Sequence, residues 1–503
     1  MDHSGDGGIH GQLLQNNGFQ GENPGLTAYT SVGAVDISRD TDTPVSHAIT
    51  SSLKLSMRDD ANGYVGFANN GYGGVPVQSA TYRTSFWMQG AYSGAVTVQL
   101  VGSQSGRVFA EHNVSVKSVE DRFQRFEGRL ESEAAPDGKN EWRLLVDAGL
   151  VTSGTVHVGL IELFPPTYHN RYIPSPFWKL ITDTKDLIFR TNGLRDDVAS
   201  FLESSNPAFL RFPGGNNIEG LSIPQRWIWN QTIGPVVERP GRQGDWFYPN
   251  TDALGLDEFM WWCEDMNMTA MLAVWAGKSY GRIVSGDELQ PYVDDIMNEL
   301  EYLLGSANST TWGRKRAQNG RVEPYDLKFV EIGNEDYLTG GCPTYPQRFM
   351  QIYEAIHAVY PQLTLIASTE VEDCLPSPLP DSVMVDVHYY NQADRLVSNF
   401  DQYDNYARDR DVVVGEWGCR NTTAERGQFW STMQCSCAEA AHMIGFERNS
   451  DVVKMTTYAP LLQNFAFTQW SVRMLPPLQN SYIYISELMN SLRCLAWTRV
   501  PTP

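Results

Sequence analysis

The chain has 503 residues, of which 42% are hydrophobic and 19% are charged, a composition typical of a globular protein with more than one domain. Its formal net charge is −21 and its isoelectric point is near 4.8, and because no basic stripe is present to neutralise phosphates, we exclude nucleic acid as its partner. No apolar run approaches the ~18 residues that a membrane-spanning helix requires, so no membrane partner is expected. A neutral polymer or a small molecule fits this composition better.

From about residue 27 to residue 166 the sequence has the pattern of a β-sandwich or jelly roll. Short segments rich in β-branched and aromatic residues, such as 81–88, 95–101 and 154–164, are separated by Gly, Asn, Ser or Asp. This spacing predicts a module of antiparallel strands.

From residue 193 onward, buried strands alternate with helical segments. The predicted strands are Phe209–Phe212, Ala270–Trp275, Leu327–Ile332, Leu363–Ser368, Met384–Tyr389, Val412–Gly415 and Val452–Tyr458. Between them, Leu289, Val293, Ile296, Leu300 and Leu303 recur at helical spacing, as do Phe349, Ile352, Tyr353 and Ile356. This alternation predicts an α/β fold, namely a (β/α)-barrel of the TIM type, although the pattern supplies one strand fewer than a closed barrel needs.

Two glutamates follow short apolar runs where barrel strands are predicted to end. Glu335 lies in Phe-Val-Glu-Ile-Gly-Asn-Glu-Asp-Tyr (329–337) and Glu416 in Val-Val-Val-Gly-Glu-Trp-Gly (412–418). Because barrel strands deliver their last residues to one shared rim, we expect the two carboxylates to meet there. Such a pair is what glycoside hydrolysis needs, since one group protonates the leaving oxygen while the other attacks the anomeric carbon or activates water. Glu331, inside the strand, is interpreted as structural support that requires a partner such as an arginine.

The segment 209–217 carries further polar candidates at the end of the first predicted barrel strand. Arg211 could hold Glu416 in its ionised form, or it could bind carbonyl groups at the strand end. The two glycines that follow would let the backbone approach a ligand, with Asn216 or Asn217 supplying polar contacts. A plain tight turn explains the glycines equally well.

Other candidates lie beside the two glutamates. The amide of Asn334 could hold a sugar hydroxyl while Glu335 reaches the glycosidic oxygen. His388 could tune the proton of the acid, and a tyrosine that follows it could donate a hydrogen bond to the nucleophile, although a His-Tyr pair is also common in core packing. Three tryptophans could form sugar-stacking walls or belong to the core, namely Trp275, Trp417 and Trp470.

Several other kinds of chemistry are disfavoured. The sequence contains no Walker-type phosphate loop, no HExxH helix and no GxSxG elbow, so metal chemistry and acyl transfer are disfavoured. No metal and no cofactor are expected. Its seven cysteines show no regular metal-ligand spacing, and their odd number leaves at least one thiol unpaired or paired between chains. Five Asn-x-Ser/Thr sequons, at Asn113, Asn230, Asn267, Asn308 and Asn421, permit a secreted glycoprotein.

Taken in order, these motifs resemble glycoside hydrolase family 51, and the fungal α-L-arabinofuranosidases in particular. The matching segments cover nearly the whole chain and include 3–8, 192–195, 209–216, 255–259, 332–336, 388–390, 414–416 and 458–461. The resemblance implies a retaining enzyme that releases terminal α-L-arabinofuranosyl groups from arabinoxylan, arabinan or their oligosaccharides. It also implies an extracellular location, although no signal peptide is recognisable in this chain. It does not define an oligomeric state.

The resemblance also assigns roles to individual residues. It makes Glu335 the general acid/base and Glu416 the nucleophile. It assigns substrate binding to Arg211, Asn216, Asn334, His388 and Tyr390.

The same resemblance divides the chain into five parts. These are a remnant of the first barrel βα unit (1–26), an inserted β-sandwich similar to carbohydrate-binding modules (27–166), an atypical insert or linker (167–192), the barrel (193–460) and a truncated C-terminal β region (461–503). In the family, the first barrel strand precedes the segment at which this chain begins, which explains the strand missing from the pattern.

Two rival functions remain at this point. An endo-glucanase or xylanase of a related barrel family would use the same pair of carboxylates in an open cleft. A non-catalytic carbohydrate-binding protein would keep both glutamates in an incomplete pocket.

Overall fold

The computed structural model of the chain describes residues 8–170, 193–245, 248–419 and 432–459, together with the backbone of 462–464 and 483–485. Two structural units and an N-terminal stretch that joins them account for most of these residues. Among the described helices, none combines the length and the apolar character that crossing a bilayer would demand.

The first unit is a sandwich of two antiparallel five-stranded sheets. In spatial order, one sheet contains Tyr29–Val32, Tyr64–Asn69, Asn140–Asp147, Tyr92–Gly102 and Val108–Ser118. The other contains Val35–Asp40, Ser52–Met57, Thr155–Phe164, Ala80–Gln89 and Gln124–Ser132. Alternate residues such as Tyr82, Phe86 and Met88 are buried in the shared core, as the period of two along a strand requires. The boundaries 27–166 stay a prediction.

The outer face of the second sheet packs against the barrel. Trp87 and Leu160 on this face belong to one apolar cluster with Val236 and Val237 of the barrel unit. The hydroxyl of Ser46 donates a hydrogen bond of 2.6 Å to the Val237 carbonyl at the same contact. This sheet face is therefore covered by the barrel unit.

The N-terminal stretch predicted as a barrel remnant lies along the same joint. The Gly11 amide donates to the Gly193 carbonyl at 2.7 Å. Further along, the side-chain amide of Gln20 donates to the Arg239 carbonyl at 3.0 Å. These contacts tie residues 8–26 to the second unit.

The second unit is a parallel α/β barrel sheet. Its seven strands follow each other in sequence order: Phe209–Phe212, Thr269–Val274, Leu327–Ile332, Thr364–Ala367, Met384–Asn391, Val412–Cys419 and Val453–Tyr458. The helices are Asp196–Ser204, Asn216–Glu219, Leu256–Asp265, Gln290–Leu304, Thr311–Gln318, Tyr345–Val359, Ala393–Ser398 and Met433–Arg448. The predicted α/β barrel is confirmed. In the part of the chain that the structure describes, no strand lies between the outer edges of Phe209–Phe212 and Val453–Tyr458, as expected for a barrel short of one strand.

The helical periodicity of the sequence corresponds to the buried faces of two barrel helices. Val293, Ile296 and Leu300 lie on one side of Gln290–Leu304 and pack into the layer between helices and strands. Phe349 and Ile352 do the same on Tyr345–Val359. This packing fixes the strands whose ends carry the candidate site.

Among the described residues, two disulfides lie near the C-terminal rim of the barrel. Cys342 and Cys374 join the segments that follow two adjacent strands, and Cys419 at the end of Val412–Cys419 is bonded to Cys435. Cys263 is a buried free thiol.

Much of the predicted insert and of the predicted C-terminal region lies outside the described residues. Of the predicted insert 167–192, residues 171–192 belong to this group. Of the C-terminal region, the structure describes one antiparallel pairing, Leu462–Asn464 with Ile483–Ile485.

Candidate active site

The two strand-end glutamates meet at the C-terminal rim. Glu335 follows the strand Leu327–Ile332 by three residues, and one of its carboxylate oxygens lies within 4.8 Å of a carboxylate oxygen of Glu416 and a ring nitrogen of His388. The sequence reading needs one correction, because the strand does not stop at Gly415. It continues to Cys419, so that Glu416 lies within the strand, in register with His388 of the neighbouring strand. Its side chain therefore has the fixed direction of a strand residue.

Arg211 connects the carboxylates of the site. Its Nε and Nη2 donate to the two oxygens of Glu331 at 2.6 and 2.8 Å, and its Nη1 donates to Glu416 Oε1 at 3.0 Å. Nη2 also donates to the side-chain oxygen of Asn334 at 2.9 Å. The expected arginine partner of Glu331 is thus confirmed. Of the two interpretations of Arg211, contact with carboxylates is the one observed.

The surroundings of Glu416 favour its ionised form. Burial alone would raise the pKa of this carboxyl, but the charges of His388 and Arg211 and the hydrogen bond from Tyr390 outweigh burial and lower the pKa. The Tyr390 hydroxyl donates to Oε2 at 2.5 Å. These contacts provide what a nucleophilic carboxylate needs at neutral pH.

The glycine turn before Asn216 comes close to the same carboxylate. Gly215 has φ of +60°, and a Cβ atom added there would lie 3.0 Å from Glu416 Oε1. A side chain at this position would be strained by its backbone conformation and would crowd the carboxylate. The turn is therefore more than a plain connection.

His388 lies between three acidic side chains. Its Nε2 is 2.6 Å from Asp386 Oδ2, and its Nδ1 is 3.1 Å from Glu335 Oε1 and 3.9 Å from Glu416 Oε2. Burial opposes protonation of the ring, but Asp386 and Glu416 raise its pKa well above the ordinary value. Burial would likewise raise the pKa of Asp386, yet the charges of His388 and Arg211 hold it at about 2. The neighbouring acidic groups therefore favour the protonated ring, whose Nδ1 can donate to Glu335.

Two asparagines share the buried Glu219 as a hydrogen-bond acceptor. Asn334 donates through Nδ2 to Glu219 Oε2 at 3.0 Å, and Asn216 donates to the same oxygen at 2.7 Å. Asn216 also donates to the Tyr280 hydroxyl at 2.9 Å. Asn217 turns away, since its Nδ2 donates to the Pro213 carbonyl at 3.4 Å. Of the two candidate asparagines, Asn216 is the one that belongs to this network.

Sequence reasoning missed four residues of this network, namely Glu219, Lys278, Tyr280 and Asp386. Glu219 could have been found, because it is three residues from Asn216 on the same short helix. Asp386 precedes His388 by two residues on one strand, so both point to the same face. The other two lie on the hairpin formed by Lys278–Ser279 and Arg282–Ile283, which follows no motif that the sequence analysis used.

Two of the candidate stacking tryptophans belong to the core. Trp417 packs between Phe446 and Tyr458, and Trp275 is also buried. Trp470 lies outside the described residues. No sugar-stacking wall is thus formed by the first two.

Among the described residues, two groups have the composition of metal sites. They are Glu331 with Asp386 and His388, and Glu335 with His388 and Glu416. The guanidinium of Arg211 forms an ion pair with one carboxylate of each group, namely Glu331 in the first and Glu416 in the second. Its positive charge therefore compensates part of the negative charge of both groups. The second group has the chemistry of paired carboxylates at which one can carry a proton while the other stays ionised.

Two family models match the chain. The Alpha-L-arabinofuranosidase 1 domain matches residues 201–408, and the Alpha-L-arabinofuranosidase C-terminal domain matches residues 415–483. The two matches place Arg211, Glu335 and His388 in the first domain and Glu416 in the second.

Relatives of known name match over almost the whole chain. The probable alpha-L-arabinofuranosidase A of Aspergillus flavus is 49% identical over 95% of this chain and 73% of its own length. The alpha-L-arabinofuranosidase A of Aspergillus niger is 46% identical over 94% of this chain and 72% of its own length. The arabinose-bound structure of MgGH51 α-L-arabinofuranosidase has a TM-score of 0.87 and 34% identity, and covers 99% of this chain and 78% of that one. These findings confirm the family that the sequence motifs indicated: the chain belongs to the α-L-arabinofuranosidases of glycoside hydrolase family 51.

Proposed function

We propose that this chain is a retaining glycoside hydrolase that releases terminal α-L-arabinofuranosyl groups from arabinoxylan, arabinan and their oligosaccharides. One observation carries the retaining mechanism. An oxygen of Glu335 and an oxygen of Glu416 lie within 4.8 Å of each other. This spacing suits the ~5–5.5 Å between carboxyl groups of retaining enzymes better than the ~6.5–9.5 Å of inverting ones, which must leave room for a water molecule.

Glu416 acts as the nucleophile. Its lowered pKa keeps it ionised, and Arg211 and Tyr390 fix its two oxygens at 3.0 and 2.5 Å. One oxygen attacks the anomeric carbon, and the bond from that carbon to the leaving oxygen breaks. The product of this step is a glycosyl ester on Glu416.

Glu335 acts as general acid and then as general base. In the first step its carboxyl proton passes to the leaving oxygen. In the second, the carboxylate accepts a proton from water, whose oxygen attacks the anomeric carbon and releases Glu416 as a carboxylate. The imidazolium of His388, 3.1 Å from Glu335 Oε1, orients this side chain in both steps.

The remaining predicted residues bind the sugar. Asn334 and Asn216 are placed to contact hydroxyl groups, because both lie beside the carboxylates and are held by Glu219. Arg211, His388 and Tyr390 close the side of the pocket next to Glu416. Buried polar groups that a hydroxyl must satisfy give strong discrimination between sugars.

The proposal also includes the roles of the two structural units and the location of the protein. Residues 27–166 form the carbohydrate-binding-like module and residues 193–460 the catalytic barrel. The protein acts outside the cell on plant cell-wall polysaccharides, a location supported by its fungal relatives and by the exposure of the sequon asparagines Asn113, Asn230, Asn267 and Asn308.

The decisive experiment is to compare products. Arabinose release from 4-nitrophenyl arabinofuranoside and from arabinoxylan, without shortening of the xylan chain, supports the proposal. Shortening of xylan or glucan chains without arabinose release would support an endo-acting enzyme instead. Binding to arabinoxylan without any turnover would support a non-catalytic binding protein.

A further inference from the structure

A buried lysine, Lys278, joins two sides of the site. Its side chain is 4% exposed. Its Nζ lies 2.8 Å from Glu219 Oε1 and donates a hydrogen bond of 2.6 Å to the backbone carbonyl of Glu335. A buried ammonium needs such partners, because an unpaired charge in this position would be costly.

The position of Lys278 is itself fixed by its neighbours. The indole of Trp275 donates to the Lys278 carbonyl at 2.7 Å. The next residue, Ser279, donates through its hydroxyl to the Glu219 carbonyl at 2.5 Å. A Cβ added at Gly341 would lie 3.1 Å from Cδ of Lys278, so the aliphatic part of the side chain is closely packed as well. The ammonium thus has little freedom to move.

The backbone that Lys278 holds is unusual. Glu335 has φ of +46°, in the left-handed region, a conformation that strains a residue with a side chain and persists only where the surroundings impose it. The Glu335 carbonyl accepts hydrogen bonds from Lys278 and from the Leu338 amide at 2.8 Å. The hydrogen bond from Leu338 closes a local turn. The hydrogen bond from Lys278 connects that turn to the hairpin formed by Lys278–Ser279 and Arg282–Ile283.

Glu219, the ion-pair partner of Lys278, also holds the side chains of two asparagines. Glu219 accepts from Asn216 and Asn334 at 2.7 and 3.0 Å through Oε2, while Oε1 faces the lysine. Asn334 is adjacent to Glu335 in the chain, so the Lys278–Glu219 pair holds both residues of the Asn-Glu segment. One residue is held by its backbone and the other by its side chain.

We propose that Lys278 is a positioning residue for proton transfer by Glu335: it fixes the backbone from which the acid/base side chain extends, and through Glu219 it fixes the adjacent Asn334. The inference rests on the proposed function, because it assumes that Glu335 protonates the leaving oxygen. A displacement of the acid slows glycosidic cleavage most where the leaving group needs a proton, and least where it does not.

The test compares two aryl arabinofuranosides in the purified full chain and in Lys278→Met. With phenyl arabinofuranoside, whose leaving group is poor, kcat/KM is expected to fall by about 10- to 100-fold, within the ~10²–10⁴-fold that general acid catalysis contributes. With 2,4-dinitrophenyl arabinofuranoside, which needs no protonation, the fall is expected to stay below about 3-fold, since the general acid contributes little there. Lys278→Arg should recover part of the loss. Equal falls with both substrates, or no fall, would overturn the proposal.

Arg316→Met is the matched control. Arg316 is also a fully buried cation bound to backbone carbonyls, with Nη2 donating to Gly305 and Val322 at 2.8 and 2.9 Å, but it lies in the helical layer on the helix Thr311–Gln318. Its loss is expected to lower Tm and to leave the ratio of the two kcat/KM values unchanged. A changed ratio in Arg316→Met would show that lost stability alone shifts leaving-group dependence, and this too would overturn the proposal.

Two further measurements keep the result interpretable. Should Lys278→Met not fold, the same ratio is measured in Lys278→Gln, whose shorter amide cannot reach both partners, and the same selective fall is expected. Wild-type chain that hydrolyses neither arabinofuranoside would refute the proposed function and, with it, this inference. Active wild type with an unchanged ratio in the lysine variants would refute the role of Lys278 alone.

Discussion

The hydroxyl of Tyr390 donates a hydrogen bond of 2.5 Å to Oε2 of Glu416 across two adjacent parallel strands. A contact this short is typical of a hydroxyl that donates to an ionised carboxylate. Because both residues lie on strands, their separation is set by the barrel sheet and not by a loop. The carboxylate of Glu416, the proposed nucleophile, is therefore held in place by the sheet itself.

Removing this hydroxyl by Tyr390→Phe should slow the enzyme without unfolding it. A hydrogen bond to a charged group contributes about 1.5–3 kcal/mol, so kcat/KM is expected to fall by about 10- to 100-fold. The acidic limb of the pH profile should also move to higher pH, because the hydroxyl lowers the pKa of Glu416. Steady-state kinetics from pH 3 to pH 8 would measure both effects.

Tyr389→Phe is the matched control for this substitution. The Tyr389 hydroxyl lies 2.8 Å from Nε2 of His442, and among the described residues its partner is this ring rather than Glu335 or Glu416. Its removal should leave the acidic limb unchanged. A shift of equal size in both variants would contradict the role given to Tyr390.

Glu416→Ala should abolish turnover with every arabinofuranoside, because neither leaving group nor pH can replace the attacking carboxylate. Added azide is expected to restore slow reaction with an activated substrate and to give an arabinosyl azide of inverted configuration, since azide attacks from the vacated side. Product configuration can be read by NMR. Undiminished hydrolysis in Glu416→Ala would rule out this residue as nucleophile.

Glu335→Ala should have a different pattern. Activity on substrates with poor leaving groups is expected to fall by the ~10²–10⁴-fold that general acid catalysis contributes, whereas formation of the glycosyl ester from an activated substrate should persist. Azide should then react with the ester and give an arabinosyl azide of retained configuration. The same product configuration in both glutamate variants would contradict the assignment of their roles.

A buried histidine of the N-terminal stretch, His10, is expected to contribute to acid sensitivity of the fold. Burial, with a smaller contribution from the charge of Arg239, lowers the pKa of His10 from 6.5 to about 3. The side chain is 1% exposed, and neither ring nitrogen has a hydrogen-bond partner among the described residues. Below pH 6.5, His10 therefore binds a proton in the unfolded chain but stays neutral in the folded chain. As a result, the free energy of unfolding falls by up to about 1.4 kcal/mol per pH unit between pH 6.5 and pH 3.

His10→Leu should remove this contribution. The variant loses some packing against Phe164. Between pH 6.5 and pH 4, however, its free energy of unfolding should depend less steeply on pH, by the amount that corresponds to about one proton bound on unfolding. Denaturant titrations at several pH values would measure the slope. The exposed His47 offers a control, since His47→Leu changes a side chain that is hydrated in both states. Equal slopes in wild type and His10→Leu would contradict the prediction.

The strand and helix periods in the sequence were enough to predict the barrel. Strands such as Thr269–Val274 are nearly continuous apolar runs because parallel barrel strands are buried on both faces, and this signal is local. The position of Glu416 was less exact, since the continuation of its strand to Cys419 depends on pairing with Met384–Asn391. The contacts of Lys278 could not be predicted from the sequence pattern, because they join Lys278 to Glu335 and Glu219, which are 57 and 59 positions away.

Apolar periodicity and motif order are properties of neighbouring residues, so the fold class, the family and the two strand-end glutamates could be predicted from the sequence. Arg211 and His388 were candidates with more than one interpretation in the sequence, and only the packed strands show that Arg211 contacts Glu416 and that His388 contacts Glu335. Arg211 reaches Glu331 and Glu416 across 120 and 205 positions of the chain, and His388 reaches Glu335 across 53. Electrostatic interactions depend on distance in space and on burial, and neither is fixed until the strands have packed side by side.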